Sequence, residues 1–333
     1  MIKQLGIDLG SSNTRIFDKE KGIALRSPTA IATMATGGKT VAVGADARRM
    51  FGKTPPEIQA LRPVQGGVVA EPEAATRMLK FYLSKLEAVS VMHRPDITVS
   101  LPSRVNEVER RALEEAVYDA GARQVFMIDS TLAGAIGAGL KIGSHRGGVI
   151  VDIGGGCSSV AIMSMGGVVS ADTTRVGGRD LDRAIVQYIR KKYDLLIGEA
   201  AAESLKIKIG SAWRNFDRGS ADVPGRDLGG GLTGSARVSC ADICEAIQEK
   251  LSLVITMIKT SLEELAPDLA SDVYDAGMIL IGGGAQLDGL PELIYKQLGI
   301  RATVAKNPAD CVCRGLGWTL GNDAAKKYLK NKK

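Results

Sequence analysis

Two aspartates at the ends of apolar segments are each followed by a turn of small residues. Asp8 precedes Gly10, Ser11, Ser12 and Asn13, and Asp152, 144 residues further on, precedes Gly154, Gly155, Gly156 and Cys157. Backbone N–H groups in such turns converge on one concavity and bind phosphate oxygens. A carboxylate beside a polyphosphate commonly holds Mg²⁺ through waters that the ion retains. The pair therefore predicts a phosphate site with Asp8 and Asp152 as water-mediated Mg²⁺ ligands; the alternative is two glycine-rich hairpins with a structural role only.

A third glycine cluster follows an apolar segment later in the chain. Its residues are Gly282, Gly283, Gly284, Ala285 and Gln286, and a helical pattern over residues 290–298 comes next. Glycine lets a flat nucleoside approach the backbone closely. The cluster is therefore a candidate nucleoside contact, and the alternative is a strand end packed against a helix.

Other glycine and metal motifs are excluded by their context. A dinucleotide fingerprint or a Walker loop must run from a strand into a helix, whereas the glycines at 154–156 lead into a second apolar strand. The Gly38-Lys39-Thr40 segment has Thr33 where the earlier Walker glycine would stand. The five cysteines lack the spacing of zinc sites, so we expect them to be buried. His93 and His145 are far apart in sequence and indicate no histidine site.

The elements that must position these residues follow from the hydrophobic pattern. Each aspartate turn lies between two apolar strands, which predicts a β-hairpin in each half and an internal repeat at half-chain spacing. Helical periodicity places Val108 on one face with Ala112, Ala116 and Val117. Residues 217–235, rich in glycine and polar side chains, are expected to form an exposed excursion. Two α/β halves follow from this order of elements.

Composition limits the class of protein. The 333 residues, 45% hydrophobic and 24% charged, suit about two globular domains. The net charge of +6 owes much to five lysines in the last eight positions, and aromatic residues make up only 4%, so no nucleic-acid partner is expected. No secretory signal is visible, and the uncharged stretch 153–171 is too rich in glycine and serine for a membrane helix. A cytoplasmic location is expected.

Short motifs occur in order along about 310 residues. They are Ile7-Asp8-Leu9-Gly10-Ser11-Ser12-Asn13-Thr14, Leu61-Arg62-Pro63, Gly67-Val68-Val69, Val108-Glu109-Arg110-Arg111, Ala135-Ile136-Gly137-Ala138-Gly139, residues 151–156, Gly177-Gly178, Ile197-Gly198-Glu199-Ala200, Glu203 with Lys206, Ile209-Gly210-Ser211-Ala212, residues 282–285 and Cys313-Arg314-Gly315. In these motifs the chain resembles the MreB family, the bacterial actins of rod-shape maintenance, within the superfamily of actin, DnaK-type chaperones and sugar kinases.

The resemblance implies an α/β, actin-like fold of two duplicated RNase H-like domains around a nucleotide cleft, each with a smaller inserted subdomain. Domain I would comprise residues 1–141 plus 310–333, with an insertion at about 29–62, and domain II residues 142–309, with an insertion at about 179–249. ATP and Mg²⁺ would lie between the domains.

The same resemblance assigns contacts to the nucleotide. Glu203 and Lys206 would contact ribose and base, and the cluster from Gly282 to Gln286 would line the adenine pocket. The alternative for Glu203 and Lys206 is an exposed i,i+3 ion pair on a helix.

Three positions depart from the family pattern. Ser130 stands where the family has the glutamate that orients the attacking water, Thr131 stands where a proline follows it, and Cys157 replaces a threonine. The carboxylate of Asp129 is the neighbouring group that could serve instead. The resemblance therefore implies at most a weak ATPase coupled to polymerisation, with Asp129 and Ser130 as the candidate catalytic residues.

The family's membrane contacts imply a location peripheral to the inner face of the cell membrane. Only six residues precede Ile7, so the family's N-terminal amphipathic helix is not expected. Val91 and Met92, in the loop at 88–94, are the candidate membrane loop, and an ordinary buried loop is the alternative.

The function implied is that of an ATP-binding cytoskeletal protein that polymerises into membrane-associated filaments, in cell-shape maintenance or intracellular organisation. Its partners would be further copies of itself, the membrane surface and cell-wall or membrane morphogenesis proteins. One alternative is a nucleotide-locked, hydrolysis-poor scaffold or chaperone-like paralogue. A small-molecule kinase of the same superfamily is the other, although no carboxylate general base for it stands out in the sequence.

Overall fold

The computed structural model describes residues 2–89 and 93–329. In chain order its first elements are β1 (Gln4–Leu9), β2 (Asn13–Asp18), β3 (Gly22–Pro28), β4 (Ile31–Met34), β5 (Thr40–Val43), α1 (Ala45–Arg49), β6 (Ile58–Leu61), β7 (Val64–Gln65), β8 (Val68–Val69), α2 (Pro72–Lys85), β9 (Asp96–Leu101), α3 (Glu107–Asp119), β10 (Gln124–Asp129) and α4 (Ser130–Ala138). The chain continues with β11 (Gly148–Ile153), β12 (Ser158–Ser164), β13 (Gly167–Thr174), α5 (Gly178–Tyr193), β14 (Leu195–Leu196), α6 (Glu199–Ile209), β15 (Ser220–Asp227), β16 (Thr233–Ser239), α7 (Cys240–Glu263), α8 (Pro267–Ala276), β17 (Met278–Ile281), α9 (Leu290–Leu298), β18 (Ala302–Val304) and α10 (Cys311–Thr319). Short 3₁₀ segments lie at Gly284–Gln286, Pro308–Asp310 and Asp323–Tyr328.

Two five-stranded sheets with the same topology form the centre of the molecule. Their strand orders are β10-β9-β1-β2-β3 and β13-β12-β11-β17-β18. In each sheet three consecutive strands form an antiparallel meander, and two later strands extend it in parallel from the first of the three. Asp8 ends up near the carboxyl end of β1 and Asp152 near that of β11, so the predicted internal repeat is confirmed.

Two smaller sheets extend from this centre. Strands β5-β4-β6 form one, together with α1, and strands β14-β15-β16 form the other, within the segment that runs from α5 to α7. Residues 217–235, predicted to be an exposed excursion, are mostly exposed and form most of the β15-β16 hairpin. Ala221 and Val223 are the exceptions: they are buried in the core of the second half, where β15 packs against α6. The glycines at 229–231 occupy the hairpin turn and are exposed.

The face assigned to α3 needs a smaller correction. Ala116 and Val117 are buried as predicted, but Val108 is 76% exposed. Val108 lies in the first turn of the helix, beyond the edge of the surface that α3 packs against. The capping box of Asn106 and Glu109, in which each side chain accepts from the other residue's backbone N–H, starts the helix there without apolar contact.

Helices α4 and α10 cross closely between the two large sheets. α4 connects β10 of the first sheet to β11 of the second, and α10 follows β18 of the second sheet but packs against β1 of the first. Gly137 and Gly315 lie at the crossing, where a Cβ atom on Gly137 would come within 2.8 Å of the backbone carbon of Cys311. Ile128, Leu132 and Leu316 contribute to an apolar cluster around this crossing.

No helix within the described ranges is long and apolar enough to cross a membrane. Val91 and Met92, the predicted membrane loop, lie outside the described residues. The domain boundaries proposed from the sequence stay a prediction.

Candidate functional site

A cavity of about 520 Å³ opens between the two large sheets and brings together residues from distant parts of the chain. The predicted site residues on its wall are Asp8, Gly10, Ser11, Ser12, Asn13, Ser130, Asp152, Gly154, Gly155, Gly156, Cys157, Glu203, Lys206, Gly282, Gly283, Gly284 and Gln286. Two predicted residues are not on the wall. Ala285 is buried in the core of the second half, and Asp129 lies behind Ser130 at the start of α4.

The two aspartate turns have the same backbone geometry. Gly10 N–H donates to the carbonyl of Asn13 at 3.2 Å, and Gly154 N–H donates to the carbonyl of Cys157 at 2.9 Å. The turns also pack against each other, because a Cβ atom on Gly156 would lie 2.7 Å from Cβ of Ser11. Only glycine permits this approach. The two turns thus form one continuous surface of backbone N–H groups on the cavity.

Asp8 and Asp152 both line the cavity, and their charges influence each other. Burial raises the pKa of Asp8, while Arg15 and a hydrogen bond from Ser100 oppose that rise. Burial and the nearby charge of Asp8 raise the pKa of Asp152 to about 7. A neighbouring carboxylate, Asp310 for Asp8 and Asp8 for Asp152, thus makes ionisation of each carboxyl group less favourable.

The donor set suits a hydrated divalent cation. Among the described residues no group of three or more His, Cys, Asp or Glu side chains is arranged to hold a metal by itself. Two carboxylates on a cavity wall, beside turns that can hold phosphates, match the way Mg²⁺ binds through one or two carboxylates, waters and substrate phosphates. Asp8 and Asp152 are the residues that would hold it.

Cys157 is the last residue of the second turn, and its thiol is unreactive. Burial, followed by the charge of Asp152, raises the pKa of its thiol to about 12. The other four cysteines are buried, as predicted. Because the thiolate is the reactive form, Cys157 is a small neutral wall residue and no nucleophile at neutral pH.

Glu203 and Lys206 line the cavity from α6 but do not pair with each other. Lys206 Nζ donates to the carbonyl of Gly178 at 2.7 Å and lies 2.7 Å from Asp182 Oδ1. The carboxylate of Glu203 accepts a hydrogen bond from Arg48 of α1. The alternative of an exposed i,i+3 pair is therefore wrong, because each side chain has a partner on another element.

One oxygen of the Asp129 carboxylate, Oδ1, forms the N-cap of α4. It accepts from the backbone N–H of Thr131 at 2.8 Å and of Leu132 at 3.2 Å, and from the Thr131 hydroxyl. Ser130, the next residue, is the one that reaches the cavity wall. A hydroxyl, and no carboxylate, thus faces the cavity from the start of α4.

Three cationic residues on the cavity wall were not predicted, namely Arg15, Arg179 and Arg218. Arg15 stands on β2 directly opposite Asp8, and the alternation of strands could have indicated it. Arg179, in the first turn of α5, reaches across to donate to the carbonyl of Ser11 at 3.3 Å. The sequence offers no signal for this second contact, because 168 residues separate its partners.

Further contacts join the two sides at the mouth of the cavity. Besides the pair of Arg48 and Glu203, Arg62 Nη1 lies 3.3 Å from Glu199 Oε2. The guanidinium of Arg62 also stacks over the ring of Phe51, 4.5 Å from its centroid. Each pair joins a residue close to the first small sheet to one on α6, so the pairs span the cleft.

A model of the MreB/Mbl protein family matches residues 2–328 of the chain. The chain belongs to the MreB/Mbl family. The cell shape-determining protein Mbl of Bacillus subtilis (strain 168) is 38% identical over 320 residues, covering 96% of each chain. The cell shape-determining protein MreB of Escherichia coli (strain K12) is 41% identical over 321 residues, covering 95% of this chain and 92% of that one.

Two solved structures have the same fold as this chain. MreB 5 of Spiroplasma citri bound to AMPPNP superimposes with a TM-score of 0.92 at 30% identity, covering 98% of each chain. The MamK double helical filament superimposes with a TM-score of 0.80 at 18% identity, covering 96% of this chain and 98% of that one, which concerns the fold alone. The predicted family and the predicted actin-like fold are both confirmed.

Proposed function

We propose that this protein binds ATP together with Mg²⁺ in the cleft between its two large sheets and polymerises into cytoskeletal filaments. The observation that carries the nucleotide site is the pair of equivalent turns, after Asp8 and Asp152, that meet on one cavity. Backbone N–H groups there would hold the phosphates, and the two carboxylates would hold the hydrated ion. Bound there, Mg²⁺ would neutralise part of the phosphate charge.

Family membership supports nucleotide binding and the filament. A relative in the family, MreB 5 of Spiroplasma citri, has been solved bound to ADP and to AMPPNP, with a TM-score of 0.90 or above against this chain. Glu203, Lys206, Gly283 and Gln286 lie on the wall of the same cavity as the two turns, which supports their role as contacts for ribose and base. The curated relatives are named as cell shape-determining proteins, which supports a role in cell shape.

A hydrolysis-poor scaffold is the second candidate function. It is favoured by the arrangement at the start of α4, where Ser130 faces the cavity and Asp129 is engaged as a cap. On the cavity wall this helix start presents the Ser130 hydroxyl, while Oδ1 of Asp129 is engaged in the cap. In this alternative, nucleotide would stabilise the assembled state without being turned over quickly.

Calorimetry and electron microscopy together test the proposal. Titration of the purified chain with ATP in Mg²⁺ is expected to release or absorb heat at micromolar protein, and Asp8→Ala is expected to weaken that binding. Negative staining is expected to show ordered filaments with ATP and Mg²⁺. Absence of a binding signal with ATP or GTP would contradict the cleft assignment, and binding without filaments would contradict the cytoskeletal role.

Attachment of the filaments to a membrane is a separate part of the proposal. Two apolar side chains, Val91 and Met92, contribute only a few kcal/mol of membrane affinity in one copy, so firm binding requires many copies along a filament. Wild-type filaments are expected to sediment with liposomes, and unpolymerised protein only weakly. Equal sedimentation of the double variant Val91→Ser, Met92→Ser would overturn the assignment.

A further inference from the structure

The two halves of the repeat differ in the residues that stand beside their aspartates. In the first sheet, Asp8 lies opposite Arg15 on β2, and Arg15 lies opposite Arg26 on β3. In the second sheet, the equivalent row reads Asp152, Ser159 and Thr173. Cross-strand neighbours in an antiparallel sheet project from the same face, so each row is one set of side chains on one face of its sheet.

The row in the first sheet is a fixed ladder of charges. Arg15 Nη1 lies 3.7 Å from Asp8 Oδ2, and its Nε lies 3.1 Å from Asp310 Oδ1. Arg26 holds the same Asp310 through two hydrogen bonds of 3.2 and 2.8 Å. The Arg15 side chain is only 16% exposed and lies on the cavity wall, which leaves its guanidinium little freedom.

The row in the second sheet is neutral beyond its aspartate. The hydroxyls of Ser159 and Thr173 are 2.9 Å apart and satisfy each other. Within the part of the chain that the structure describes, no ion pair involves Asp152. In this cross-strand row, the first half of the repeat therefore places a cation beside its aspartate and the second half places a hydroxyl there.

We propose that Arg15 is a specificity-determining residue that supplies a fixed positive charge at the phosphate site and reduces its dependence on divalent cation. This inference rests on the proposed binding of nucleotide in the cleft. Arg15 offsets the charge of Asp8, so a polyphosphate approaching without a metal meets less repulsion. The same guanidinium repels Mg²⁺ and lessens the extra affinity that the ion confers. Both effects lower the ratio of nucleotide affinity with Mg²⁺ to affinity without it.

The test measures that ratio directly. The dissociation constant of AMPPNP is determined by calorimetry on the full chain, once with Mg²⁺ and once with EDTA. Arg15→Ser gives the first half the residue that the second half has at Ser159, and Arg15→Lys keeps the charge. Arg26→Thr is the matched control, because it removes one positive charge from the next strand, at a residue that does not line the cavity. Thermal unfolding confirms that each variant is folded.

We expect the affinity ratio of Arg15→Ser to exceed that of wild type at least about tenfold, since a full charge on the wall of the proposed phosphate site is lost. Arg15→Lys and Arg26→Thr are expected to stay within about threefold of wild type. An unchanged ratio in Arg15→Ser, or an equal rise in Arg26→Thr, would overturn the inference while leaving nucleotide binding intact. Failure of the wild type to bind AMPPNP with Mg²⁺ would instead overturn the proposed function on which it rests.

Discussion

Asp8 and Asp152 occupy equivalent positions in the repeat but have different charged neighbours. Asp8 forms an ion pair with Arg15, whereas Asp152 forms none in the described part of the chain, although the charge of Arg15 partly opposes the rise of its pKa. Burial therefore raises the pKa of Asp152 to about 7, from an ordinary value of 3.8. A group of this kind costs stability when it is ionised and is available to a cation that binds beside it.

Asp152→Asn is expected to stabilise the nucleotide-free protein at high pH. The folded protein keeps the proton on Asp152 up to about pH 7, but the unfolded chain releases it near 3.8. Because the folded state binds more protons in this range, the contribution of Asp152 to stability falls as pH rises from about 4 to 7. The gain from the variant should be about 2 kcal/mol larger at pH 8 than at pH 5.

Urea unfolding at the two pH values measures this difference. Asp222→Asn serves as the control, since the Asp222 side chain is 69% exposed and should give no such pH-dependent gain. An Asp152→Asn variant that is equally stabilised, or equally destabilised, at pH 5 and pH 8 would show that the proton is not held in the folded state.

Turnover of ATP is expected to be slow because Ser130 faces the cavity in place of a carboxylate. Phosphoryl transfer depends on positioning and electrostatics, and loss of one group that acts in the transition state commonly lowers the rate 10²- to 10³-fold. Ser130→Glu should accelerate single-turnover phosphate release by about 10²-fold. Asp129→Asn should have little effect, since asparagine is also a good N-cap and keeps α4 intact. A fast wild type that is abolished by Asp129→Asn would assign the role to Asp129 instead.

The crossing of α4 and α10 is the element contact that leaves least room for change. Gly137 and Gly315 place the two backbones in direct contact, and a Cβ atom on Gly315 would lie 3.0 Å from the Cα of Ala133. Because α4 and α10 run between the two large sheets, their spacing determines how Ser130 and the two aspartate turns are presented to the cavity.

Gly315→Ala is expected to destabilise the protein by more than about 3 kcal/mol, because the new methyl group meets backbone atoms that cannot rotate away. Gly143→Ala is the control: it lies in an exposed connection, with nothing within 4 Å of its Cβ position, and should change stability by less than about 0.5 kcal/mol. Urea unfolding of both variants measures the contrast. Similar stabilities would show that the two helices can separate at little cost.

The two sides of the whole molecule are held together at the cavity mouth by ion pairs. Arg48 with Glu203 and Arg62 with Glu199 both bridge the cleft from the first small sheet to α6. Glu203 also lines the cavity, so its ion pair with Arg48 lies directly beside the proposed nucleotide site. A partly exposed ion pair contributes only about 0 to 1 kcal/mol to stability. Two such pairs span this cleft, so both would have to break for it to open.

The double variant Arg48→Ala, Arg62→Ala is expected to release nucleotide faster than wild type, by about threefold to tenfold. Removal of both pairs frees the mouth without touching the aspartate turns. Displacement of a fluorescent ADP by excess ATP measures the rate. Arg49→Ala is the matched control, because Arg49 pairs with Asp46 of its own helix and does not cross the cleft. Equal release rates in all three proteins would show that the pairs do not restrain opening.

Local patterns determined the elements and the turns. The helix Leu290–Leu298 has the predicted bounds, the apolar segment before the third glycine cluster is the strand Met278–Ile281, and both aspartate turns lie between strands as expected. Hydrophobic periodicity and turn chemistry act over a few residues, so one chain segment contains all the information needed. The family was recognisable for the same reason, since its motifs are short.

Contacts between distant segments were decided only by the tertiary structure. The sequence placed Ser130 and Asp129 side by side, but only the start of α4 decides that the hydroxyl faces the cavity and the carboxylate caps the helix. Asp310 reaches Arg15 across 295 residues, and Arg48 reaches Glu203 across 155. The pattern of charged residues in a sequence predicts which side chains are exposed, but it does not predict which opposite charge each of them pairs with. That pairing depends on how the two sheets are packed around the cleft.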